Sequence, residues 1–174
     1  MDKSKRNLAK ILGATGISAV VWKKPVVNSV SLPSHAAATC SSTAVIPGKT
    51  STCSDPFNST LYEYTLSLDS NNCLTISENI RIDPDLPLSG GEVGELWILV
   101  RRLDDDLGRI DVNVITESRA YAIHQNCNEL RSNETSDVQV HPMTINGSAY
   151  TATFQVSIDE TSARTTDITI APAV

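Results

Sequence analysis

The sequence predicts an all-β fold, a single two-sheet β-sandwich that is immunoglobulin-like in the broad sense, preceded by a helical signal segment. Three observations carry this expectation. Hydrophobicity after residue 60 alternates with period 2 rather than 3.6. Nothing beyond the first 36 residues carries a helical stripe, and turn-forming residues recur at the short intervals of an all-β chain. All four cysteines, Cys40, Cys53, Cys73 and Cys127, follow the leader, as in an exported domain stapled by disulfides.

Residues 1–36 read as an export signal. Lys3, Lys5, Arg6 and Lys10 precede a 12-residue apolar stretch, Ile11–Trp22, interrupted by Gly13 and Gly16. That stretch is too short for the roughly 30 Å hydrocarbon core of a bilayer, which takes about 20 apolar residues. Ser34-His35-Ala36 places small residues at −3 and −1 for cleavage after Ala36, and Ala38 offers a second position.

Ser4-Lys5-Arg6-Asn7-Leu8-Ala9-Lys10 resembles the twin-arginine export motif S-R-R-x-F-L-K, with Lys5 in place of the first arginine and Leu8-Ala9 in place of Phe-Leu. The leader ends in Trp22-Lys23-Lys24-Pro25-Val26-Val27-Asn28-Ser29-Val30-Ser31-Leu32-Pro33-Ser34-His35-Ala36. This is similar to the W-x-K-P-V-V-x-S-V-x-L-P-x-H-A endings of a group of small exported bacterial proteins. The resemblance covers only the leader. It implies bacterial origin, the twin-arginine machinery and a signal peptidase as partners, and a periplasmic or extracellular destination. It carries no active site. The route takes folded cargo, so the domain has to form before its disulfides do.

Residues 37–60, rich in Ser, Thr, Pro and Gly, read as an extended arm, and residues 61–174 as the sandwich. Tyr62, Tyr64, Leu66 and Leu68 alternate with polar residues, and Leu74, Ile76, Ile80 and Ile82 keep the same phase with Glu78 as the one polar break. Leu96–Val100 is apolar on both faces, as a central strand should be. Ile110, Val112 and Val114 follow, then weaker candidates at 120–123, 138–140 and 166–170. Asn146-Gly147 suits a tight hairpin before the alternating run from Tyr150 to Ile158. Trp97, Leu99, Val112, Val114, Phe154 and Val156 are expected in or beside the core.

Four cysteines allow three pairings. The expectation is Cys40–Cys53, closing the arm, and Cys73–Cys127 across the core region. Free buried thiols are the alternative, and no two cysteines have the C-x₂₋₄-C spacing of a zinc knuckle.

Asp104, Asp105, Asp106 and Asp111 form the one concentration of hard oxygen ligands, and calcium is the cofactor they could hold. Arg101, Arg102 and Arg109 beside them offer the plainer reading of a charge-paired turn. His124 and His141 have neither metal-site spacing nor a neighbouring cysteine, so they read as ordinary strand or surface histidines. No nucleophile elbow or phosphate loop occurs, and no catalytic residue is assigned. Residues 37–174 hold eight basic and nineteen acidic residues, a net charge of −11, which disfavours nucleic acid and anionic membrane as partners. The reading is an exported non-catalytic module with a binding or structural role toward a protein or surface partner. The alternative is an accessory subunit of an exported redox enzyme, or an enzyme in its own right.

Overall fold

The computed structural model describes residues 40–85, 90–129 and 133–174. The signal motif at Ser4, Lys5, Arg6 and Lys10, the cleavage position at Ala36 and the expected signal helix lie outside them. The described residues contain strands and no helix. In chain order the strands are β1 (Ala44–Ile46), β2 (Thr50–Thr52), β3 (Ser59–Leu68), β4 (Leu74–Ile82), β5 (Glu95–Arg102), β6 (Arg109–Thr116), β7 (Ala120–Asn126), β8 (Glu134–Thr135), β9 (Gln139–Ile145), β10 (Ser148–Phe154), β11 (Val156–Ile158), β12 (Ser162–Thr165) and β13 (Ile168–Pro172).

They form three antiparallel sheets, ordered β4-β3-β5-β6-β7, β1-β13-β10-β9 and β2-β12-β11-β8. The two four-stranded sheets follow one another along the chain, because β1 runs into β2, β10 into β11 and β12 into β13. At each break a side chain takes over from the ladder. The Thr166 hydroxyl accepts from Gln155 N at 2.9 Å, and the Ser136 hydroxyl accepts from Val156 N at 3.1 Å. Thr165 Oγ1 accepts from Lys49 N and Asp167 Oδ1 from Gly48 N, both at 3.0 Å. The alternating run expected from Tyr150 to Ile158 is therefore two strands creased at Gln155. The expected extended arm also contributes β1 and β2, paired to β13 and β12.

One apolar cluster joins the inner face of the five-stranded sheet, through Leu66, Ile98, Val112 and Val114, to Ile145, Phe154, Val156 and Ile170 of the other sheets. The phase of β3 and β10 is as the alternation demands, and Asn146 (φ 48°) and Gly147 (φ 80°) make the hairpin between β9 and β10. Leu99 is buried as expected and Trp97 half-buried, but neither belongs to the main apolar cluster. Their register, Leu99 against Leu61 and Trp97 against Ile115, puts them on the opposite face of the sheet. Ile80 and Ile82 keep the predicted phase, yet they are 52% and 60% exposed at the sheet's edge.

The disulfides correct the expected pairing. Cys40 bonds Cys73 and Cys53 bonds Cys127, with Cα separations of 5.2 and 5.6 Å. The first forms because the chain entering β1 passes the β3–β4 turn, where Leu74 N donates to Ser41 O at 3.3 Å. The second forms because Cys53 leaves β2 where Cys127 leaves β7, the latter held by a bond from its N to Gly108 O at 3.1 Å. Between Cys40 and Cys53 the chain runs through β1 and β2, in two different sheets, and this separates the two thiols that are nearest in sequence.

Candidate functional site

A groove of about 240 Å³ opens between β3 and β5 and the segment formed by β2 and the loop after it. Thr60 and Tyr62 of β3 and Val100 of β5 line one side of it. Thr50 and Ser51 of β2, with Asp55, Pro56 and Asn58 of the following loop, line the other. Three exposed apolar side chains stand around this part of the fold, Ile80 and Ile82 on β4 and Phe57 on the loop. The volume is below the roughly 300–1,000 Å³ of a drug-sized ligand site, and it suits one or two side chains of a larger partner.

The loop wall is pinned from several directions. Asp55 Oδ2 accepts from Thr52 N at 2.8 Å, and the Ser51 hydroxyl donates to Arg101 O at 3.2 Å. Arg102, buried, donates through Nε to Cys53 O at 3.2 Å and through a terminal nitrogen to Leu103 O at 2.9 Å, while its guanidinium lies 4.4 Å from the Phe57 ring centre. The Cys53–Cys127 bond anchors the loop's start. Such a wall is preorganised, so a ligand would not have to order it.

Charge near the groove is balanced. Lys49 Nζ sits 4.3 Å over the Tyr62 ring and 3.7 Å from Glu78, whose carboxylate also accepts from the Tyr64 hydroxyl at 2.8 Å. Burial first, then that hydrogen bond, pushes the Tyr64 phenol well above its ordinary pKa. Tyr64 therefore remains a neutral donor.

The carboxylates assigned to calcium are not brought together. Asp104, Asp105 and Asp106 are exposed on the β5–β6 turn, where Asp105 Oδ1 accepts from Arg109 N at 3.1 Å. Asp111 is buried on β6, paired with Arg101 Nε and 3.4 Å from Arg109 Nε. Among the described residues no three His, Cys, Asp or Glu side chains converge as a metal site. The alternation of β6 explains the separation, because it places Asp111 opposite Arg101 in the ladder and away from the turn. His124 is exposed on β7. His141 is 3% exposed and packs edge-on against Phe154 at 5.0 Å, and burial, then Arg119, lowers its pKa.

Sequence reasoning missed the groove. Its available signals were Phe57, isolated in a polar loop, and Ile80 and Ile82, whose phase could not show that they overhang the core. No known protein family, curated protein or solved structure matches this chain.

Proposed function

We propose that this chain is an exported, non-catalytic β-sandwich module that binds a partner in the bacterial periplasm or at the cell surface. The observation that carries the reading is the closure of all four cysteines into two disulfides within the unit that follows the leader. Structural disulfides persist in oxidising compartments and are rare in the cytosol, which supports export. The groove beside Tyr62, with its pinned wall and exposed Phe57, Ile80 and Ile82, supports a binding role.

Expression in a bacterial host with N-terminal analysis of the exported fraction tests the first half. The expected N-terminus is Ala37 or Thr39, and exchange of Lys5-Arg6 for Gln-Gln should retain the chain in the cytosol. An intact Met1 on the exported protein would overturn the leader assignment, and unchanged export would overturn the twin-arginine route. For the second half, NMR titration with extended apolar peptides should shift Thr60, Tyr62, Val100 and residues 50–58 together. Absence of such shifts would remove the groove as the binding site.

A further inference from the structure

The two disulfides sit in opposite surroundings. Cys53 and Cys127 pack against the apolar cluster, and the backbone of each is held. Cys53 N donates to Thr161 O at 2.8 Å, Arg102 Nε donates to Cys53 O at 3.2 Å, and Cys127 N donates to Gly108 O at 3.1 Å. Cys40 and Cys73 stand outside that cluster, Cys40 exposed and Cys73 half-buried. Their two backbones also differ. Cys73 is fixed on the β3–β4 turn, where Asp69 Oδ1 accepts from Cys73 N at 2.9 Å and Asp69 N donates to Cys73 O at 3.0 Å. Cys40 belongs to the segment 40–43, which precedes the first ladder pair of β1, Ala44 with Ile170. Among the described residues, one backbone hydrogen bond ties this segment to the rest of the fold, from Leu74 N to Ser41 O at 3.3 Å. The Ser41 hydroxyl bonds only within the segment, to the backbone of Thr43.

We propose that Cys40–Cys73 is a thiol–disulfide exchange site, opened and re-formed on the folded domain by a protein dithiol, while Cys53–Cys127 stays closed. The attacking thiolate reaches the exposed Cys40 sulfur and forms a mixed disulfide there. The Cys73 sulfur leaves as a thiolate and takes a proton from water. The second thiol of the dithiol then attacks its own partner sulfur, which releases Cys40 as a thiol and leaves the dithiol oxidised to a disulfide. Two electrons pass to the domain, and the reverse sequence re-forms the bond. No strand has to separate, because segment 40–43 lies outside every ladder. Opening leaves Cys73 on its turn and lets Cys40 swing away with its segment. Cys53 and Cys127 have no such freedom, since β2 and β7 carry them and the core packs on both. Charge favours a dithiol over a small anionic thiol. Residues 37–174 carry a net −11, and Asp69 stands at the site itself, so an anionic attacker is repelled.

Dithiothreitol added to the oxidised, folded protein, with alkylation and peptide mapping over time, tests the proposal. The expected result is alkylation at Cys40 and Cys73 while the Cys53–Cys127 peptides remain bonded and the circular-dichroism spectrum is unchanged. The rate should change little with urea below the unfolding transition, as for a bond that opens without global unfolding. A thioredoxin-type protein whose second cysteine is replaced should be captured as a mixed disulfide on Cys40. Opening of Cys53–Cys127 first, or of both bonds together, overturns the proposal. So does a rate that climbs steeply with urea, which would make Cys40–Cys73 a purely structural bond, and so does capture on Cys73. None of these outcomes bears on export or on the groove.

Discussion

Removing the Cys53–Cys127 disulfide should destabilise the protein more than removing Cys40–Cys73. The bonds span 74 and 33 residues. In the chain-entropy model, closing loops of those lengths stabilises by about 4.4 and about 3.7 kcal/mol at 25 °C. Packing widens the gap. Cys53 and Cys127 pack against the core cluster, and Arg102 holds Cys53 O, whereas Cys40 is exposed. The loops share residues 53–73, so the two losses will not add. Urea unfolding of Cys53→Ala/Cys127→Ala and Cys40→Ala/Cys73→Ala, each compared with wild type, measures them. Against a typical total of about 5–15 kcal/mol, either loss is easily resolved. Equal losses, or a larger loss for Cys40–Cys73, would refute the loop-length argument. A Cys40–Cys53 peptide in a non-reducing digest would refute the pairing on which it rests.

Acid should weaken the fold through His141. Its pKa is lowered in the folded protein, while the unfolded chain protonates near 6.5, so stability is complete above that pH and declines as pH falls through the window below it. His141→Phe should flatten the Tm profile in that window, and an unaltered slope would assign the acid sensitivity elsewhere. Asp111→Ala leaves Arg101 and Arg109 without their shared carboxylate and should cost about 3 kcal/mol, whereas wild-type melts in EDTA, calcium and magnesium should superimpose. A calcium-dependent rise in Tm would contradict the assignment of Asp111 to the arginines. Gly48→Ala directs a methyl group into the Thr165 carbonyl at the crease and should cost about 1–3 kcal/mol by overpacking, measurable as a lowered urea midpoint. A neutral result would mean that the crease has room to shift.

Alternation is a local property, and what it encodes was legible. The phase of Tyr62 to Leu68 and of Tyr150 to Phe154, and the hairpin at Asn146-Gly147, need only neighbouring residues. The crease at Gln155 was not legible, because the hydroxyls that interrupt the ladder come from Thr166 and Ser136, 11 residues beyond Gln155 and 20 before Val156. The fate of Asp111 could have been read with one more step. Arg101 and Asp111 are equally distant from residue 106, the centre of the β5–β6 turn, so a regular hairpin sets them opposite each other and takes Asp111 out of any shared cation site. The groove is the harder case. Phase fixes the face on which Ile80 and Ile82 lie, but not whether another strand covers that face at their position. That depends on how the separate sheets meet, which no local pattern in β4 records. Strand length is set where the partner ladder ends, and the ladder of β2 ends at Cys53, which the disulfide carries toward β7. The loop that this bond anchors then forms one wall of the groove on which the binding proposal rests.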